Sequence, residues 1–587
     1  MCGIVGYIGG ERAAPLILKS LKNLDYRGYD SAGIATLDGK GIHARKDKGK
    51  IEEIERKMDF TALPGSIGIG HTRWATHGIP SRRNAHPHFD CRGSVCLVHN
   101  GVIENYAELR ESLKQKGHRF SSDTDSEVVA HLVEEKLKAA RNAGEAVKQA
   151  VAELKGAWAL AVLVKGEERI FLARSQSPLV IGVGNGEMWC ASDVPALLAH
   201  TKKFVFLEDG EFAVLSRCGY EAEREGRRTA RKPVEVAWTT EMAQRGGYPH
   251  FMLKEIEEQP QSVAQTLALD VGEAAEFARK FKRIHVVAAG TSYHAGLVFK
   301  YLAARLGLQP ADAFIASEYA QAFAGGAGGE TLVLAISQSG ETADTLAAVR
   351  EAKKRGARTL AITNVVGSSL AREADVVLCM QAGPEISVVA TKTFLAQLAV
   401  LCALAARMAG DEKLRKELER VPELVRDVLK KRGEIERVAE RISRKRDFFF
   451  IGRGLGYPIA LEGALKLKEI TYTHAEAYPG GELKHGPLSL LEKGVPVIAI
   501  APSDATLPKM LGNIQECRAR EAQLIVLSDS SQALAAADER IRMPKASPLL
   551  APFLYIVPLQ LLAYHAAVLR GADPDKPRNL AKSVTVE

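Results

Sequence analysis

A cysteine at position 2, followed at once by glycine in MCGIVGYIGG, is the first residue of the chain placed for chemistry. Removal of the initiator methionine would leave Cys2 with a free α-amine beside its thiol. That amine has an ordinary pKa of about 7.7–8.0, so it can act as a general base near neutral pH. Nucleophile and base would then share one residue. The plain alternative is a chance cysteine on a first strand. Further along, HTRWATHG holds Arg73, Trp74, Thr76 and His77. HNG places Asn100 and Gly101 after an apolar run, where a side-chain amide and a backbone N–H could form an oxyanion hole. SSDTDSE puts Asp125 near a helix start. An arginine for a carboxylate and an aspartate for an ammonium suit an amino-acid substrate such as glutamine.

The second half carries a different set. SQSGET, residues 337–342, follows the apolar TLVLAI and opens a helical stretch. Such a turn presents backbone N–H groups at the positive end of a helix dipole, and Ser337, Gln338, Ser339 and Thr342 add side-chain donors. The turn has no lysine, which suits a sugar phosphate better than a polyphosphate. A serine-rich helix cap is the alternative. In EGALKLKE, Glu462, Lys466 and Glu469 fall at i, i+4 and i+7 and share one helix face, whereas Lys468 points elsewhere. That face could be a surface salt-bridge ladder. A glycine-rich loop containing His485 follows it, however. A carboxylate, an amine and an imidazole beside a phosphate site are what an aldose–ketose isomerisation needs. One group opens the ring, one moves a proton between adjacent carbons, and a third stabilises an enolate or forms an imine.

These residues need several domains to hold them, since 587 residues exceed what one core supports. To about residue 220, short apolar or alternating runs such as IGIGHTRWAT, VCLVHNG, WALAVLV and FAVLS predict strands. LRESLKQKG and DSEVVAHLVEEKLKAA predict two helices, and the whole reads as an α+β domain. A charged, turn-rich stretch follows Gly226. From about residue 250, long helices alternate with fully apolar strands, the βαβ signature of a parallel sheet. The pattern then repeats at a nearly constant offset: IHVVAAGTS returns as FFFIGRGLG, LVLAISQSGET as VIAIAPSDAT and TLAITNVVG as LIVLSDSSQ. Two tandem doubly wound α/β copies are expected. The second copy's turn, APSDAT, has lost most of the donors of SQSGET.

Composition excludes several classes. A net charge of +8 is small for this length, and the basic stretches are mixed in sign, so no nucleic-acid surface is expected. The eight cysteines form no CxxC pair and no signal peptide opens the chain, which predicts free thiols in the cytoplasm. The apolar run PLLAPFLYIVPLQLLAYHAAVL is interrupted by Pro552, Pro558, Gln560 and His565 and predicts a buried core helix, not a membrane span. His86, His88, Cys91, Cys96 and His99 imitate a metal site, but their spacing matches no zinc pattern, so a loop and strand are expected there. GRGLG is not GxGxxG, and no nucleotide-binding loop is present.

MCGIVGY, YRGYDSAG, GHTRWATHG, HNGVIEN and DTDSE together resemble a class II glutamine amidotransferase domain. SQSGET, EGALKLKE, GELKHGP and PRNLAKSVTVE resemble the paired sugar-isomerase domains of the isomerising glutamine–fructose-6-phosphate aminotransferases. The resemblance runs from residue 2 to residue 587. It implies an N-terminal-nucleophile amidotransferase domain of αββα type (2–225), a linker (226–248), two sugar-isomerase domains (249–438 and 439–577) and a C-terminal tail (578–587). It implies that Cys2 attacks the glutamine amide and that Asn100 and Gly101 form the oxyanion hole. Arg73, Thr76, His77, Gly101 and Asp125 would bind glutamine, while Trp74 gates an ammonia channel. Thr291, Ser292, Ser337, Gln338, Ser339 and Thr342, with Val389 and Ala581, would bind the sugar phosphate. Glu469 would move the proton between carbons 1 and 2, assisted by Lys466 and Glu462. His485 would open the ring from a partner subunit, making a homodimer. Lys582 would form an imine with the open-chain ketose, the tail packing between the glutaminase and isomerase parts. Glutamine and fructose 6-phosphate are the implied substrates, with no metal, organic cofactor, nucleic acid or membrane. Two positions depart from the family's usual residues: Ala289 stands for a cysteine and Ala390 for a serine.

Overall fold

The computed structural model describes residues 2–585 and divides into two units. One comprises Met1–Ala243, Glu341–Ala343 and Ala581–Glu587; the other comprises Gln244–Gly340 and Asp344–Leu580.

In the first unit the apolar runs form two antiparallel sheets of eight and seven strands. Neighbouring strands of the first include β1 (Gly3–Ile8) and β2 (Ile67–Arg73), and neighbouring strands of the second include β3 (Val95–Ile103) and β4 (Gly156–Val164). Ile4, Ile8, Ile69, Val98, Ala159 and Ala161 are among the residues that fill the core between the sheets. Helix α1 (Ala13–Lys22) packs on β1 and β2. Helices α2 (Tyr106–Gln115), α3 (Glu127–Leu137) and α4 (Ala143–Val151) follow β3, and α3 and α4 cover the second sheet through Val129, Val133 and Val147. The layers are therefore α, β, β, α. The expectation of two helices in this region was too few. AAPLILKSLK and AGEAVKQAV also form helices, burying Ile17, Leu18 and Leu21 of the first and Ala146, Val147 and Ala150 of the second. Cys96 lies inside the sandwich, where burial pushes its thiol far up, and Cys91 is exposed in the turn before β3.

The second unit contains two five-stranded parallel sheets with one topology. In the first, β5 (Arg283–Ala288) leads into α5 (Gly290–Arg305). Strand β6 (Thr331–Ile336) leads through SQSGET into α6 (Ala343–Lys354). In the second, β7 (Asp447–Gly452) leads into α8 (Gly456–Thr471), and β8 (Pro496–Ile500) leads through APSDAT into Leu507–Arg518. Each sheet has the order 2-1-3-4-5. Such a sheet opens a crevice at the carboxyl ends of its first and third strands, where the connections depart in opposite directions. The turns at Gly290 and Ser337 flank that crevice in the first copy.

Helices α7 (Lys392–Ala409) and α9 (Ala551–Leu569) are apolar all round and sit in the core of this unit. By length and hydropathy two helices could cross a membrane, Lys392–Ala409 and Pro548–Leu569. They are 83% and 89% buried within the protein, as a core helix requires.

Candidate active sites

Strand register builds the first site. Gly3 of β1 lies opposite Thr72 of β2, so Cys2 falls beside Arg73 and Trp74. A Cβ on Gly3 would come 2.6 Å from Thr72 Oγ1, so only glycine allows this approach. The Trp74 N–H donates to Cys2 Sγ at 3.2 Å, and the thiol donates to the Trp74 carbonyl at 3.4 Å. The Cys2 carbonyl accepts from Arg27 Nε at 3.2 Å and from Asn100 Nδ2 at 2.9 Å. Burial pushes the thiol pKa up, while the Trp74 N–H and the Arg73 charge oppose it.

Arg73 ends β2. Its Nη2 donates to the carbonyls of His77 and Gly78 and so closes the 73–78 loop, while Nη1 is buried without a hydrogen-bond partner. Burial lowers its pKa, with Cys2, Asp125 and Asp30 pulling the other way. Asp125 is buried and accepts the Ile103 N–H at 2.9 Å. Trp74 stands edge-on to Tyr29, His77 packs its ring edge on Tyr106, and Thr76 is exposed. Gly101 has φ +108° and would drive a Cβ into the Ala157 carbonyl, so the position requires glycine.

Sequence reasoning missed the residues that hold Asn100. His71 Nε2 donates to the His99 carbonyl at 2.8 Å and lies 3.1 Å from Asn100 Oδ1. A carbonyl can only accept, so Nε2 carries the proton and Asn100 Oδ1 is an acceptor. The amide nitrogen is thereby turned toward Cys2, with one N–H on the Cys2 carbonyl and the other left for an oxyanion. Burial pushes His71 down to about 3, and His86, His88 and His99 also lie low for the same reason. Arg27 is in turn held by Asp193 at 2.8 Å, across 166 residues of sequence.

A second polar cluster, around Glu462, Lys466 and Glu469, lies in the second unit. On α8, Lys466 Nζ is 3.3 Å from Glu462 Oε1 and 2.7 Å from Glu469 Oε2, and it donates to Thr291 Oγ1 at 3.0 Å. Glu462 also accepts from Thr291 Oγ1 at 3.0 Å and from His294 Nδ1 at 2.7 Å. Thr291 and His294 stand on α5, at the first copy's crevice, so a helix of each copy contributes. Glu462 and Lys466 are fully buried, so the ladder is no surface feature; Lys468 is exposed. Burial alone would raise Glu462, but Lys466 and His294 hold it below the usual range. Burial alone would lower Lys466, but the two carboxylates keep it above the ordinary lysine value.

Around them, Ser292 Oγ accepts from Gln397 Nε2 at 2.9 Å. Ser337 is buried, and its Oγ accepts the Gly340 N–H at 3.1 Å, which shapes the SQSGET turn. Gly340 has φ +65° and packs so closely on Ser368 that no side chain fits. The Gln338 carbonyl accepts the Asn364 N–H at 3.0 Å. Ser339 and Thr342 lie in the same turn, and Val389 is buried in the loop before α7. In the second copy, Asp504 of APSDAT pairs with Arg305 at 3.3 Å and accepts from Thr506. A carboxylate in that turn disfavours an anion. His485 is exposed at the end of a short helical turn, apart from the Glu462–Lys466–Glu469 bonds. Ala581 and Lys582 are half-buried in the tail, where the Val584 carbonyl accepts the Ala343 N–H at 3.0 Å.

Comparison with known proteins identifies the two kinds of domain. Residues 71–199 match the family model of a glutamine amidotransferase domain, and residues 278–407 and 441–570 each match that of the SIS domain. The glutamine–fructose-6-phosphate aminotransferase (isomerizing) of Thermococcus kodakarensis is 53% identical over 602 aligned residues, covering all of both chains. That of Thermus thermophilus is 47% identical with the same coverage. The chain belongs to the glutamine–fructose-6-phosphate aminotransferase (isomerizing) family. A solved C-terminal domain of glucosamine-fructose-6-phosphate aminotransferase from Francisella tularensis is 41% identical. It covers 57% of this chain and 99% of its own, with a TM-score of 0.54. Of the two departures from the residues expected of glutamine–fructose-6-phosphate aminotransferases, Ala289 lies directly before α5 and Ala390 directly before Thr391. Neither removes a member of the hydrogen-bonded sets described above.

Proposed function

We propose that the protein transfers the amide nitrogen of glutamine to fructose 6-phosphate and isomerises the product to glucosamine 6-phosphate, releasing glutamate. The observation that carries this reading is the end-to-end alignment with aminotransferases of that name, in a chain that also holds two hydrogen-bonded polar clusters.

At the first site, Cys2 attacks the glutamine amide, its α-amine accepts the thiol proton, and the developing oxyanion meets Asn100 and Gly101. Arg73, with a buried unpartnered Nη1, receives the glutamine α-carboxylate, and Asp125 receives the ammonium, aided by Thr76 and His77. Trp74 shields the passage of ammonia. At the second site, the N–H groups and hydroxyls of SQSGET, with Thr291, Ser292, Val389 and Ala581, hold the phosphorylated sugar. His485, from the partner of a homodimer, opens the ring. Lys582 condenses with the C2 carbonyl and expels water to form an imine; the ammonia released at the first site then adds at C2 and displaces the lysine amine, and Glu469 carries the proton from C1 to C2 of the resulting sugar imine. Lys466, kept charged by two carboxylates, holds Glu469 in place and is a poor imine former. Both substrates are metabolites of the cytoplasm, where the enzyme works.

The test is an incubation with amide-labelled glutamine and fructose 6-phosphate, with the amino sugar identified by mass. Labelled glucosamine 6-phosphate supports the assignment; glutamate release without any amino sugar refutes it.

A further inference from the structure

Four side chains in the first unit converge away from the glutaminase site: Cys91 before β3, His118 after α2, and His131 and Glu134 on α3. One ligand-type atom from each lies within 4.8 Å of the other three. Cys91 Sγ is 3.8 Å from His118 Nδ1 and 3.5 Å from His131 Nδ1. Glu134 Oε2 is 2.9 Å from His118 Nδ1 and 3.5 Å from His131 Nδ1. A tetrahedral zinc ion with bonds of about 2.0–2.3 Å places its ligand atoms about 3.3–3.6 Å apart. The four measured edges scatter around that value.

A second feature points the same way. Metal-bound imidazoles are usually oriented by a carboxylate on the far nitrogen. Here His118 Nε2 lies 3.0 Å from Glu135 Oε2, and His131 Nε2 faces Glu127 Oε1 at 3.6 Å. Glu127 is itself fixed by Ser121 and Ser122 at 2.7 Å. The Arg119 N–H donates to Cys91 Sγ at 3.3 Å, the kind of bond that stabilises a thiolate. Both histidines are buried.

We propose that Cys91, His118, His131 and Glu134 form a structural site for a divalent transition-metal ion, zinc above all. One thiolate, one carboxylate and two neutral imidazoles balance a double positive charge, and four protein ligands leave no open position for catalysis. The ion fastens the turn before β3 and the loop after α2 to α3. That loop runs on through Ser121–Thr124 to Asp125, so the metal braces the segment that delivers Asp125 to the glutamine site.

The experiment uses the full chain without an affinity tag and with Cys2→Ala, so that the reactive thiol cannot bind metal. After chelation, one equivalent of zinc is returned and excess is removed by gel filtration. About one zinc per chain is expected to remain. Zinc-edge absorption spectroscopy should show one sulfur and three nitrogen or oxygen neighbours, and the cobalt-substituted chain should show a thiolate-to-cobalt charge-transfer band. Adding Cys91→Ser should abolish that band and cut zinc retention at least tenfold, with tryptophan fluorescence confirming the fold. Retention well below stoichiometric, a first shell without sulfur, or undiminished binding by Cys91→Ser each overturns the proposal. The spectroscopic result on the chain with Cys91 intact stands even if the variant does not fold.

Discussion

Lowering the pH to 5.0 should destabilise the glutaminase unit while sparing its carboxylates. His71, His86, His88 and His99 are buried and held neutral by burial, with His71 at about 3. When folded, His71 takes up no proton at pH 5.0 and burial opposes protonation of the other three; the unfolded chain, with an ordinary histidine pKa of about 6.5, is protonated there. Stability therefore falls as pH drops through 6.5 and continues to fall toward the folded values. For His71 alone the loss is about 0.1 kcal/mol at pH 7.5 and about 2 kcal/mol at pH 5.0. His86, His88 and His99 are lowered by burial in the same direction and add to that loss. Lys46, which burial brings down to about 8, titrates above this window. The shifted carboxylates Glu127, Glu134 and Glu135 titrate below it. The assay is chemical denaturation followed by tryptophan fluorescence, because all four tryptophans (74, 158, 189 and 238) belong to this unit. A loss of at least about 2 kcal/mol between pH 7.5 and 5.0 is expected. His86→Phe should shrink the pH effect by about one histidine's share, since neither ring nitrogen of His86 has a hydrogen-bond partner to lose. A midpoint unchanged from pH 7.5 to 5.0 would refute the neutral-histidine argument.

Cys2→Ala should abolish glutamine hydrolysis and glutamine-dependent synthesis while leaving conversion of fructose 6-phosphate to glucose 6-phosphate intact, because Glu462, Lys466 and Glu469 lie in the other unit; loss of both activities in a folded protein would count against two separate sites. Replacing Ser337 and Thr342 by alanine should raise the KM for the sugar by roughly tenfold or more, at about 1.5–3 kcal/mol per hydrogen bond to a charged group. An unchanged KM would leave SQSGET as a structural turn with no part in binding the sugar. Borohydride with fructose 6-phosphate should trap the sugar on Lys582, and Lys582→Arg should lose the adduct, because arginine cannot form the imine; an adduct mapped to Lys466 would move the imine to α8. Intact mass should show a mature chain starting at Cys2; Met1 itself lies outside the described residues.

Legibility in the sequence followed the range of the interactions. EGALKLKE could be read because helical spacing alone puts Glu462, Lys466 and Glu469 on one face. SQSGET could be read because a strand-to-helix turn is local. The second repeat was visible because whole strands recur. What spacing could not reveal were partners from distant strands and helices. His71 beneath Asn100, Asp193 behind Arg27 and His294 on Glu462 meet their partners only through tertiary packing. Cys91, His118, His131 and Glu134 come from three segments with no motif spacing, so the HPHFDC stretch drew attention to other histidines than His118 and His131, which lie beside Cys91. Helix α1 was missed for a different reason: it has only ten residues, too few to be stable alone, and its apolar stripe gains weight only against β1 and β2.

The bonds from Thr291 and His294 to Glu462 tie a helix of one repeat to a helix of the other through a buried ion pair. A duplicated module ordinarily keeps a spare, and either copy can drift while the other works. Here that freedom is gone. Either repeat cut away from its sibling would expose half of a charged cluster that was solvent-free, and stranded buried charge is costly to a fold. The pair should melt as one cooperative body, and separately expressed halves should gain order only when mixed. The duplication has become a single inherited unit, whose second copy survives as the wall that completes the first.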